Sequence, residues 1–141
     1  MATYPKKLKP ARTYPANQLQ AIRVRINQAA PDPSRGEVAL TLNAAIHVGT
    51  IPAGSFIYPG TSQVATAFAP TATVDVGSVA APGGLAPTAT IAPGTVALVP
   101  NVVGTLSGFT ANELPVYVLM GTAQATAGVA DINIPFYCQK D

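Results

Sequence analysis

From residue 20 to residue 138, apolar side chains recur at every second position in short runs, and proline or glycine stops most runs before they reach helical length. A strand turns successive side chains to opposite faces, whereas a helix needs apolar positions three and four apart, so this spacing reads as half-buried β-strand. In the first run Ile22, Val24 and Ile26 share one face, and Arg23 and Arg25 share the other. After a turn at residues 31–36, Val38, Leu40, Leu42, Ala44, Ile46 and Val48 alternate with Glu37, Ala39, Thr41, Asn43, Ala45 and His47. That alternation predicts one long strand, the clearest in the chain.

Further strands are predicted at residues 56–58, 63–68, 71–76, 95–99, 116–120 and 129–138, with a short one at 88–91 inside an uncharged Ala/Pro/Gly loop. Residues 101–112 form a Gly-containing connection. The last strand puts Ala130, Ile132, Ile134, Phe136 and Cys138 on one face, and Asp131 and Asn133 on the other. No stretch of ten or more residues carries a helical stripe. The pattern specifies an all-β, single-domain β-sandwich or jelly roll of about eight short antiparallel strands over residues 19–141. At 141 residues, one core buries roughly two-thirds of the unfolded chain's surface.

Residues 1–18 follow another rule. Pro5, Pro10 and Pro15 recur every five residues, which removes backbone donors and keeps the preceding residues out of the helical region. The segment is predicted to be an extended arm carrying Lys6, Lys7, Lys9 and Arg12, with Tyr4 and Tyr14 each directly before a proline. Charge is unevenly placed. Residues 1–35 hold Lys6, Lys7, Lys9, Arg12, Arg23, Arg25 and Arg35 against Asp32, a net +6. Residues 36–141 hold Lys140 against Glu37, Asp75, Glu113, Asp131 and Asp141, a net −4. The arm has three readings: a solvated terminus, a phosphate-tracking segment, or a strap docked on a protein. The acidic body and the two Tyr-Pro pairs favour the strap, because ordering an extended segment costs about 1–2 kcal/mol per residue, which buried anchors offset. No direct nucleic-acid partner is expected.

Only 10% of residues are charged, so the surface has few ions to keep it hydrated and is expected to be covered by neighbouring molecules. Cys138 is the single cysteine, which excludes a disulfide framework. The sequence has neither a signal-peptide pattern nor about 18 uninterrupted apolar residues, so no membrane partner is expected.

Reaction chemistry finds little footing. Zinc sites need clustered Cys, His or carboxylate ligands, and His47 is the lone histidine. A nucleophile needs an adjacent base, which leaves only a bare Cys138/His47 pairing. The six acids are scattered; Asp75 and Asp131 would meet only if their strands were neighbours. No catalytic residues, metal or cofactor are expected.

Ile51, Pro52, Ala53 and Gly54 form a turn followed by residues 64–68 (Val-Ala-Thr-Ala-Phe) and 72–77 (Ala-Thr-Val-Asp-Val-Gly). Two later stretches close the pattern, residues 114–119 (Leu-Pro-Val-Tyr-Val-Leu) and 126–134 (Thr-Ala-Gly-Val-Ala-Asp-Ile-Asn-Ile). Over residues 50–137 the chain resembles the jelly-roll cement, or decoration, proteins of tailed-phage capsids. The resemblance implies a virion structural protein on the outer surface of an icosahedral head, made in the host cytoplasm. Such a protein would bridge and stabilise neighbouring major capsid protein subunits, often as a homodimer. The arm residues Tyr4, Lys6, Lys7, Lys9, Arg12 and Tyr14 lie outside the matched part; they and the strand residues Arg23 and Arg25 are the expected capsid contacts on their own chemistry. The alternative from another class is a receptor- or glycan-binding β-sandwich of a tail or fibre, which the absence of Trp disfavours.

Overall fold

The computed structural model describes residues 19–58, 60–85, 97–100, 106 and 108–138. Among them are ten strands and no α-helix: β1 Leu19–Asn27, β2 Glu37–Val38, β3 Ile46–Ile51, β4 Ser55–Ile57, β5 Thr61–Ala69, β6 Thr73–Gly77, β7 Ala97–Pro100, β8 Gly108–Phe109, β9 Leu114–Gly121 and β10 Ala127–Cys138. Eight of these exceed two residues. A 3-10 turn, Pro33–Arg35, joins β1 to β2 where the Pro-rich turn is predicted; the Asp32 carboxylate accepts from the Ser34 amide, and Gly36 at φ 71° closes it. The predicted strand at residues 88–91 and the arm at 1–18 lie outside the described residues.

The strands form a seven-stranded and a three-stranded sheet. β10 is the spine of the larger one. Along one edge it pairs antiparallel with all of β1, from Leu19 opposite Tyr137 to Asn27 opposite Val129. Along its other edge two strands stand end to end, β5 beside residues 127–133 and β4 beside residues 136–138. β7 extends the sheet beyond β5, β8 extends it beyond β4, and β2 lies parallel to β1 on the far side. The smaller sheet is β3–β9–β6, antiparallel throughout.

Alternation decides the packing. Val24, Ile26, Ile57, Val64, Phe68, Ala130, Ile132, Ile134 and Phe136 from the large sheet form one buried cluster with Ile51, Val74, Val76, Val116, Val118 and Met120 from the small one. A core shared by two inner faces is a β-sandwich. Each fully buried Val, Leu, Ile, Phe or Met contributes about 1.5–3 kcal/mol over leaving it in water.

One expectation needs correction. The alternating run at residues 37–48 is not one strand; it is β2 of the large sheet, a crossing segment, and β3 of the small sheet. Alternation continues through the crossing because Leu40 still faces the core. The ladder bonds do not continue, since side chains replace them. The Gln28 amide accepts from Leu40 N and donates to Leu40 O and Ala125 O, both at 3.0 Å. Gln124 accepts from Leu42 N at 2.7 Å and donates to the same two carbonyls at 3.0 Å. Asn43, at φ 60°, then turns the chain and donates its amide to Met120 O at 2.8 Å. Asn tolerates this left-handed conformation better than most residues. A second departure is the β1–β2 pair, which is parallel where antiparallel strands are predicted.

Two glycines permit close approach. A Cβ at Gly60, between β4 and β5, would lie 1.7 Å from the Asn133 carbonyl oxygen. At Gly128, φ is 138° and a Cβ would lie 1.9 Å from the Phe68 ring, which covers a register irregularity where β10 meets β5. Gly128→Ala therefore combines overpacking with an unfavourable backbone, and should cost on the order of 2–3 kcal/mol, read as a lower urea midpoint at unchanged slope. Gln28→Leu should cost roughly 1–3 kcal/mol in the same measurement, because it strips the buried Leu40 amide of its acceptor.

Candidate docking surface

The outer face of the large sheet is ordered from end to end by the register of β1 against β10. Leu19, Ala21, Arg23, Arg25 and Asn27 point outward on β1, opposite Tyr137, Pro135, Asn133, Asp131 and Val129 on β10. Phe56 of β4 continues the first row beyond Tyr137. Thr61 and Gln63 of β5 continue the rows of Asn133 and Asp131. One end of the face is thus apolar and aromatic, and the middle is polar and charged.

In the polar part, Arg25 is held within the molecule. Its Nε lies 3.2 Å from Glu37 Oε2 and its Nη1 lies 3.2 Å from Asp131 Oδ2. Glu37, with a side chain only 9% exposed, also accepts from Asn27 Nδ2 at 3.2 Å and from the Asp32 amide at 3.1 Å. It fastens β1 to β2 and the turn between them. Arg35 pairs with Asp32 at 3.4 Å. Arg23 differs: it makes no hydrogen bond or ion pair with any described residue, and its side chain stands over a groove of about 430 Å³ shared with Arg25, Arg35, Gln63, Asp131 and Asn133. The Asn133 Oδ1 is buried beside this groove without a hydrogen-bond partner among the described residues.

At the apolar end, Phe56, Tyr58 and Tyr137 form a ring cluster, with centroids 4.8 Å apart for Phe56 and Tyr58 and 5.5 Å for Tyr58 and Tyr137. The Tyr58 amide donates to Pro135 O at 3.0 Å, which holds it in line with β10. Leu19 is 57% exposed and Tyr58 is 40% exposed. Sequence reading missed this cluster. Phe56 and Tyr58 are far from Tyr137 along the chain, and only the β4–β10 pairing brings them together.

The structure separates the candidate reactive groups. Asp75 lies on the outer face of the small sheet and Asp131 on the outer face of the large one, so these carboxylates do not meet. His47 is on β3, with its Nε2 3.1 Å from Thr50 Oγ1 and its ring 5.3 Å from that of Tyr117. Cys138 ends β10 in the other sheet. Among the described residues no three His, Cys, Asp or Glu side chains gather as metal ligands would. The arm residues Tyr4, Lys6, Lys7, Lys9, Arg12 and Tyr14 lie outside the described residues.

No protein-family model matches the sequence, and no curated protein matches it. Among solved structures, the chain is similar to a chain of the cyanophage Pam1 capsid asymmetric unit, with a TM-score of 0.57 over 86% of this chain and 85% of that one, at 17% identity. The two chains are similar in fold. The match extends over most of both chains, so it concerns the sandwich as a whole rather than one shared hairpin.

Unequal burial makes the two partners of Arg25 unequal. Glu37→Ala should cost on the order of 1–2 kcal/mol by denaturant unfolding, since it leaves buried donors unmatched, whereas Asp131→Ala should cost at most about 1 kcal/mol.

Proposed function

We propose that this chain is a structural protein of a tailed-phage virion, which binds the outer surface of the icosahedral head and bridges neighbouring major capsid protein subunits as a cement, or decoration, protein. The observation that carries this reading is the fold it shares, over most of both chains, with a chain of the Pam1 capsid asymmetric unit. Sparse charge agrees with it. A chain in which only 10% of residues are charged leaves a surface suited to being covered by neighbours rather than by water alone. The chain would act from the virion surface, with the major capsid protein as its partner and with a second copy beside it as a homodimer.

The outer face of the large sheet suits such docking. Arg25 is already paired with Glu37 and Asp131, while Arg23 has no partner among the described residues and would be available to a carboxylate on the shell. The basic residues Lys6, Lys7, Lys9 and Arg12 add a second, sequence-distant set of cations that can reach an adjoining subunit. Many equivalent weak contacts on one particle then raise the work of separating capsomers.

A glycan-binding module is the second reading, and the cluster of Phe56, Tyr58 and Tyr137 is the feature that favours it. The Tyr58 ring is inclined by 59° to Phe56 and by 75° to Tyr137, so it forms no flat two-ring platform with either neighbour.

Purified protein mixed with shells of its phage's major capsid protein should co-sediment at a fixed stoichiometry and raise the temperature at which shells rupture. Arg23→Glu and deletion of residues 2–18 should each weaken binding, roughly tenfold or more at low salt, with the difference shrinking as salt is added. Failure of the intact protein to bind any shell, with binding to glycans instead, would overturn the proposal.

A further inference from the structure

The aromatic end of the large sheet has a more specific occupant. The first two rows of the outer face, Leu19–Tyr137–Phe56 and Ala21–Pro135, together with Tyr58, contain no charged side chain. Leu19 and Tyr58 are both among the exposed large hydrophobic residues. An exposed apolar patch bordered by polar groups, here Arg23 and Asn133, is the usual form of a site that something covers. We infer that it is the seat of this chain's own N-terminal segment, with Tyr14 and Pro15 laid on the rings of Phe56, Tyr58 and Tyr137.

Position supports this occupant. Residues 1–18 join the body at Leu19, which is itself a member of the patch. From Leu19, Tyr137 lies one strand away and Phe56 two strands away, about 5 and 10 Å. Tyr14 is five residues before Leu19, a reach of up to about 17 Å, so a reversal between Pro15 and Leu19 brings it over the rings. Covalent attachment over so short a span gives an effective concentration of order millimolar, which a free partner must exceed to displace the segment.

Chemistry and charge agree with position. A residue before proline is restricted to extended or polyproline geometry, and proline-containing segments in that geometry dock on surfaces lined by aromatic rings. From Thr13 to Ile22 the sequence has no charged residue, matching the uncharged rows, and the next cation back is Arg12. Such a seat leaves residues 1–13 to reach a neighbour, a span of up to about 43 Å rather than about 60 Å. This deepens the proposed docking arm, yet it concerns the isolated protein, so its failure and a failure to bind shells are separate results.

The test is nuclear magnetic resonance on the full-length protein. Pro15 protons should be displaced upfield by the ring currents of Tyr58 and Tyr137 and should show cross-relaxation to those rings, independent of protein concentration. Tyr58→Ala should abolish the displacement. Should that variant unfold, Tyr14→Ser leaves the body intact and should shift the Tyr58 and Tyr137 ring resonances while leaving Ile132 and Val118 unchanged. Pro15 resonances at random-coil positions in the full chain would overturn the inference. So would cross-relaxation found only between differently labelled copies, which assigns the seat to the segment of a second molecule.

Discussion

Period-two burial along β10 is the constraint on which the rest depends. Because Ala130, Ile132, Ile134 and Phe136 must all reach the core, the intervening Asp131, Asn133, Pro135 and Tyr137 are committed to the opposite side. A slip of one residue would put an aspartate in the core and an isoleucine in water, so the register of β1 against β10 is strongly determined. That register sets the order of the outer face. Aromatic groups gather where Tyr137 meets β4, and ionic groups gather where Asp131 meets β1.

Charge on that face divides by burial rather than by number. Glu37 is mostly buried and makes three contacts that close the β1–β2 turn, so its role belongs to folding. Asp131 is nearly half exposed, and its attraction for Arg25 is screened by water. Arg23 and Arg25 are two residues apart on the same strand with the same outlook, yet Arg25 is paired internally and Arg23 has no partner among the described residues.

Much of this was legible in the sequence. The outward pair Arg23 and Arg25, the inward set on β10, and the stop at Gly121 follow from alternation and turn residues, because each strand has one face in the core. Residues 37–48 misled for a physical reason: apolar alternation records which side chains can face a core and not which strand the backbone pairs with, and in the crossing Leu40 keeps its inward place while residues 43–45 are exposed. Gln28 and Gln124, which stand in for the missing ladder, are distant in sequence and leave no local signal. The aromatic end was hidden in the same way, since Phe56 and Tyr137 become neighbours only through strand pairing. The six arm residues are expected contacts on the strength of their charge and the two Tyr-Pro pairs, and they lie outside the described residues.

Gly60 marks the place where the large sheet forks, one branch running through β4 and β8 and the other through β5 and β7, both bonded to the same edge of β10. Among the described residues the two branches pair with β10 and not with each other, so apart from the short link at residues 58–60 and the shared core, β10 is what joins them. That strand is gripped on both sides for nearly its whole length. A pull along its axis loads many parallel hydrogen bonds at once in shear, whereas a pull on a sheet's margin opens them one after another.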